Sequence, residues 1–202
     1  KTVKIELSEV LDNSEVFGPE AKKAYKGILD RFDKVVEPKQ ADVLDAVTIY
    51  LAIKRLMKRK DLDSVTIRCF DLIQTTQNTA CLALSLLNDE GLVAGCEGDV
   101  DSVLTMMVLR CLSNQPSFMA NLNDLSAEDN TIILTHCTVS TLLCRKRVLR
   151  SHFESKIGVA IQGELPTWKV TICRIGDELE KMTIFTGKIV KNLNDPDMCR
   201  TQ

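Results

Sequence analysis

The chain has 202 residues, enough for one large or two small domains, and its 26 basic and 28 acidic residues leave a formal net charge of −2. With 45% hydrophobic and 27% charged residues it reads as an ordinary soluble globular protein able to bury a core. So small a net charge gives no reason to expect nucleic acid or a membrane as partner, and no apolar run approaches the length of a membrane span. The chain opens at Lys1 without a signal-peptide pattern, and the missing initiator Met suggests that the native start lies elsewhere. The basic run at 54–60 (KRLMKRK) falls late on a predicted helix, where cations suit the negative end of the macrodipole. That at 145–150 (RKRVLR) reads as a charged loop or a site for an anionic group. The eight cysteines (Cys69, Cys81, Cys96, Cys111, Cys137, Cys144, Cys173 and Cys199) form no CxxC pair. They are expected to be small hydrophobes in a reducing cytoplasm rather than disulfides or zinc ligands.

Taken in chain order, residues 1–7 (KTVKIEL) alternate like a short strand. Residues 18–36 read as a helix with Pro19 in its first turn, and 39–60 as another, with Val43, Leu44, Val47, Tyr50, Leu51 and Ile53 near helical spacing. Residues 65–70 (VTIRCF) form a β-branched strand, and 74–87 a helix stopped by Asn88-Asp89-Glu90-Gly91. Residues 92–96 (LVAGC) are a short buried strand. Gly98 and Asp99 then open a helix to about Leu112, with Asp99 as its N-cap. Residues 117–122 (SFMANL) and 131–135 (TIILT) read as strands. After His136 the pattern becomes β-rich, with strands near 158–161, 168–175 and 182–185 separated by Gly, Pro and Asp turns. The expected fold is α/β: an open, mostly parallel sheet with flanking helices over 1–130, followed by a β-rich, incomplete domain over 131–202.

The sharpest local feature is Cys96-Glu97-Gly98-Asp99, between a buried strand and a helix. Ligands gather beyond the carboxyl ends of strands in open α/β sheets, and a carboxylate there can bind a metal or move a proton. Spacing alone favours a plain polar turn for Glu97. Asn121, Asn123 and Asp124 lie at or just past the end of the 117–122 strand, whose crossover helix predicts a parallel course beside the first. They would then share an edge with Glu97, as hard oxygen donors suited to Mg²⁺ or Mn²⁺. The same residues equally suit an ordinary turn. His136 ends the next strand, as a metal ligand, a proton carrier or a structural histidine. The short loop before it predicts an antiparallel strand, which would carry His136 to the opposite edge. His152 reads as a loop residue. No GxGxxG, P-loop, HExxH or GxSxG motif occurs.

The run 81–125 (CLALSLLNDEGLVAGCEGDVDSVLTMMVLRCLSNQPSFMANLNDL), followed by 130–137 (NTIILTHC), 158–165 (GVAIQGEL), 170–175 (VTICRI) and 199–202 (CRTQ), resembles the shared region of the L-fucose/L-arabinose isomerase family. The ordered set is specific, although each piece alone is weak. The resemblance implies a cytoplasmic, homo-oligomeric aldose–ketose isomerase acting on a small sugar such as a deoxyhexose or pentose. A divalent metal, usually Mn²⁺, would stabilise an ene-diolate while an acid/base residue moves a proton between C1 and C2. Glu97 matches the family's first catalytic and metal-binding carboxylate. The second falls on Asn121, an amide, with Asp124 as the substitute if the loop is shifted. His136 matches the histidine of a His-Cys motif, with Thr135 and Thr138 in place of the usual Trp and Gly. Family members carry another α/β domain before this region and a metal-binding histidine after it, whereas no histidine follows His152 here. A piece of such an enzyme is therefore expected. The alternatives are a non-catalytic sugar-binding or regulatory relative and an unrelated α/β domain with a β appendage.

Overall fold

A computed structural model describes residues 2–176 and 179–202. Lys1, Asp177 and Glu178 lie outside the described residues.

The N-terminal layer is helical: α1 (Leu7–Ser14), α2 (Gly18–Leu29) and α3 (Gln40–Lys60). On α3, Val43, Val47, Tyr50, Ile53 and Met57 form one buried stripe. Asp42 accepts the Lys39 N–H at 2.7 Å where the helix begins, and Lys58, Arg59 and Lys60 occupy its last turn. Residues 2–6 form no strand. Leu7, Val10 and Leu11 instead recur at helical spacing and pack on the core. The helix expected over 18–36 ends at Leu29, because Asp30 and Asp33 oppose the dipole of a longer helix and Val35 and Val36 disfavour it. The chain forms β1 (Lys34–Val35) instead, parallel to β6 (Lys146–Arg150).

The strand expected over 65–70 is shorter, β2 (Ser64–Thr66), and the helix expected over 74–87 is split into α4 (Cys69–Thr76) and α5 (Cys81–Asp89). Tertiary contacts claim the break. Gln77 is left-handed (φ 55°), Asn78 Nδ2 donates to Asp42 O at 2.8 Å, and Thr79 Oγ1 exchanges hydrogen bonds with the backbone of Val159 at 2.8 and 3.1 Å. Most of α5 is buried, and its last turn carries Asn88, which locks the next strand, β3 (Val93–Gly95). Asn88 Nδ2 donates to Leu84 O and Ala94 O at 2.8 and 2.7 Å, and Oδ1 accepts from Ala94 N at 3.2 Å. Strand β3 runs parallel to β2. Gly95 admits close packing of α6 (Val100–Ser113), since a Cβ there would lie 2.5 Å from Val103 Cγ2.

The strand expected over 117–122 is displaced to β4 (Asn121–Ser126), because Met119 turns into the core and its sulfur meets the Cys96 N–H at 3.4 Å. Nor does it lie beside β3 as a parallel neighbour. A four-residue turn with Asn130 left-handed (φ 51°) folds β4 antiparallel onto β5 (Thr131–Thr135), with a bulge between Leu122 and Asp124. The remaining strands are β7 (Ala160–Glu164), antiparallel to β6, and the ribbon of β8 (Lys169–Gly176) and β9 (Lys181–Lys188). The architecture is thus mixed α/β with small sheets ordered β1-β6-β7, β2-β3, β4-β5 and β8-β9. Parallel pairing among the described residues is confined to β1-β6 and β2-β3. Among the described residues the main hydrophobic core runs from Val10 to Leu165, beside a small cluster of Cys81, Cys137 and Ala160.

Cys69 and Cys96 form a disulfide, against the expectation of free thiols throughout. The parallel register of β2 and β3 brings the first turn of α4 beside the residue that follows β3. Among the described residues no helix is long and apolar enough to cross a membrane. Because the Asn88 side chain satisfies both backbone groups of Ala94, Asn88→Ala is expected to lower stability by about 2–3 kcal/mol, read as a shifted urea midpoint at constant slope.

Candidate active site

The carboxyl end of β3 turns through two consecutive left-handed residues, Glu97 (φ 64°) and Gly98 (φ 70°). For Glu97 this conformation costs roughly 1–2 kcal/mol. Gly98 is needed for a second reason, since a Cβ there would meet Arg68 Cγ at 2.9 Å. The turn is held by Gly98 N to Ile67 O at 3.0 Å and Asp99 N to Cys96 O at 3.2 Å. Asp99 then caps α6 as expected, accepting from Ser102 N at 2.8 Å.

This turn aims the Glu97 side chain at the β4–β5 hairpin. Glu97 Oε1 accepts from Asn121 Nδ2 at 2.9 Å and lies 3.4 Å from His136 Nε2. The hairpin register explains the meeting. Asn121 pairs with Thr135, so the residue that opens β4 stands beside the residue that follows β5. Asn121 is at the amino end of its strand, not the expected carboxyl end. The antiparallel return therefore brings His136 to the Glu97 side rather than away from it. His136 is fixed on its other faces. Nδ1 is 2.7 Å from Thr138 Oγ1, and the backbone exchanges hydrogen bonds with Thr201 at 3.1 and 2.9 Å. Its side chain is 4% exposed, against 42% for Glu97, so the imidazole is walled in and the carboxylate faces open space. The hydrogen bond from His136, with that from Asn121, outweighs desolvation and holds the Glu97 carboxyl below its usual range.

Asp124 is not drawn in. It is exposed, its Oδ1 accepts from Leu125 N at 2.8 Å, and it makes no hydrogen bond or ion pair with Glu97, Asn121 or His136. His152 lies in a loop as read, but buried. Its Nδ1 accepts from Ser155 N at 3.3 Å, and desolvation followed by the charges of His136, Arg200 and Lys156 pushes its pKa down to about 4. Arg174 on β8 was not singled out by any sequence pattern. It reaches Asp99 Oδ2 at 2.7 Å and hydrogen-bonds Ser102, bracing the turn that presents Glu97. Although desolvation raises the Asp99 carboxyl, Arg174 and Ser102 hold it below its usual value.

As metal donors, Glu97, His136 and Asn121 (once its amide is turned) offer oxygen and imidazole of the kind that suits Mn²⁺ or Mg²⁺. They fit as part of a coordination shell. No group of three or more His, Cys, Asp or Glu side chains arranged for a metal occurs among the described residues.

No family model matches the chain. It is similar to the sulfoquinovose isomerase of Alkalicoccus urumqiensis, with 26% identity over 180 residues, covering 84% of this chain and 39% of that protein. It is also similar to those of Priestia megaterium (28% over 159 residues, 69% of this chain and 35% of that one) and Clostridium sp. strain MSTE9 (29% over 151 residues, 70% and 34%). The similarity relates the chain to sugar isomerases, and the chain spans little more than a third of their length.

A Glu97 carboxyl held below its unfolded value of about 4.3 contributes stability above that pH and loses it as pH falls through the folded value. Between pH 7 and pH 3 the urea midpoint of the wild type is expected to fall further than that of Glu97→Gln. Parallel curves would show that the His136 and Asn121 contacts do not act on Glu97 in solution.

Proposed function

We propose that this chain is part of a divalent-metal-dependent aldose–ketose isomerase of the fucose/arabinose isomerase kind, working as a cytoplasmic homo-oligomer. The observation that carries this reading is the convergence of Glu97, Asn121 and His136 at the carboxyl end of β3. Similarity to sulfoquinovose isomerases supports it and suggests a sulfonated aldose as substrate. In this reading β2 and β3 belong to an open, mostly parallel sheet that further chain extends, with 1–130 as the α/β part and 131–202 as the β-rich part.

Glu97, ionised at neutral pH, takes the proton from C2 of the open-chain sugar and returns it to C1, while a hydroxyl proton passes from O2 to O1. Asp124, turned to its own backbone, is the less suited base. Asn121 cannot take a proton, but it orients Glu97 and has an amide oxygen to offer. His136, clamped between Thr138 and the Thr201 backbone, keeps Nε2 toward the carboxylate. Glu97, Asn121 and His136 would hold Mn²⁺ or Mg²⁺. The chemistry this ion supplies when bound is positive charge beside the two sugar oxygens on which negative charge builds.

In the full-length protein, Glu97→Gln is expected to lower isomerisation at least about 1000-fold with an unchanged circular dichroism spectrum. Undiminished turnover would remove Glu97 from the mechanism. Asn121→Asp is expected to tighten Mn²⁺ binding about tenfold by calorimetry, since a carboxylate is the stronger hard donor. A second reading is favoured by that same residue, because an amide stands where the resemblance places a carboxylate. In it the protein binds sugar without converting it, and sugar binding with no turnover at any metal concentration would decide for it.

A further inference from the structure

Away from Glu97, the buried cation Arg200 has no ion-pair partner among the described residues. Arg200 is only 8% exposed. Its Nε donates to Ser151 O at 2.8 Å and its Nη2 to Ser151 Oγ at 3.3 Å, both neutral groups, and it forms no ion pair among the described residues. Burying a guanidinium without an anion is unfavourable, so such groups are normally paired. Its Nη1 has no acceptor among the described residues. Among the described residues the one sealed side-chain nitrogen or oxygen without a partner is Arg147 Nε, so Arg200 Nη1 meets open space. Arg200 also lines a cavity of about 250 Å³, with Arg150, Gln162, Asn194, Asp195 and Gln202.

Two other charged residues stand on the wall, Arg150 and Asp195. Arg150 grips both oxygens of Glu37 at 2.7–2.9 Å, and this contact holds the Glu37 carboxyl down at about 2. Asp195 Oδ1 is turned to the Asp197 N–H at 2.8 Å. The amides are oriented too. Gln162 Nε2 donates to Asn194 Oδ1 at 2.9 Å, which leaves the Asn194 NH₂ as a free donor. Gln202 closes the 195–202 loop by accepting from Asp195 N at 2.8 Å and donating to Asp195 O and Cys199 O at 2.7 and 3.0 Å. Arg200 is thereby held in place before any ligand arrives.

We infer that this cavity is an oxyanion-binding site, in which the Arg200 guanidinium and the Asn194 amide receive a sulfate, phosphate, sulfonate or carboxylate group. Guanidinium paired with an oxyanion through charge-assisted hydrogen bonds supplies the missing counter-charge. The inference does not depend on isomerase chemistry. The oxyanion has two possible sources, a free inorganic anion or the charged end of a sugar.

Calorimetric titration of the full-length protein with sodium sulfate, and separately with sulfoquinovose, tests it at an ionic strength held constant with sodium chloride. Wild type is expected to bind sulfate, with Arg200→Gln and Asn194→Asp at least tenfold weaker. Asn194 is exposed, so its variant keeps the test sound even if Arg200→Gln fails to fold. Sulfonated sugar weakened in parallel with sulfate identifies the charged end of a substrate. Sulfate weakened alone identifies a free anion. Uptake of neither ligand by wild type, or sulfate binding by Asn194→Asp equal to wild type, overturns the proposal. Glu97→Gln leaves the sulfate titration unchanged, so the failure of the isomerase reading is seen separately.

Discussion

The left-handed pair at Glu97 and Gly98 is the constraint on which the site depends. An extended residue at 97 would continue the alternation of β3 and send its side chain to the other face of the sheet. The reversed backbone instead swings the carboxylate toward the hairpin, where Asn121 and His136 meet it. Its conformational cost is borne by the elements around it. Asp99 caps α6 immediately after the turn, Ile67 takes the Gly98 N–H, and Arg68 lies against the bare Cα of Gly98. Non-glycine residues held in the left-handed region cost stability, and they cluster at functional sites.

The turn is supported from behind by buried polar ties that join distant parts of the chain. Asp89, at the end of α5, accepts from Ser140 Oγ, Thr141 N and Thr141 Oγ1 at 2.6, 2.8 and 2.5 Å. Thr79 is tied to Val159, and Ser85 Oγ donates to Val139 O at 2.6 Å. Helix α5 therefore carries β3 on one side and the segment after His136 on the other. Each of these bonds spans at least 51 residues of sequence. Such non-local pairing forms late in folding, after much local helix is in place.

Local rules were enough where local physics decides. The stripe on α3 and the Asp99 cap of α6 could be read from the sequence, and both stand where expected. Spacing alone left Glu97 as an ordinary turn residue, and a family resemblance drew Glu97, Asn121 and His136 together. What local pattern could not supply was register. The antiparallel return of β5 was anticipated, but not that β4 would present its amino end to Glu97, because Met119 is drawn into the core just before it. Asn78 and Thr79 look like helix interior until Asp42 and Val159 claim their side chains. Arg174 and Arg200 are ordinary surface residues by composition. Only the packed chain shows one paired with Asp99 and the other buried without an ion pair among the described residues.

Among the described residues the β8–β9 ribbon has no third strand, and β9 is exposed along its whole length. It is pinned near both ends. Beside its first strand, Asn192 brackets the backbone of Leu165 at 2.7 Å on each side. Toward its turn, Ile175 N donates to Thr105 Oγ1 at 3.0 Å and Arg174 holds Asp99. Eight extended residues reach about 26 Å. The ribbon is therefore a tie-rod rather than a loose flap. It runs from the Leu165–Asn192 bracket to the Asp99 cap, two residues past Glu97, and so links the β-rich part of the chain to the turn that presents the carboxylate.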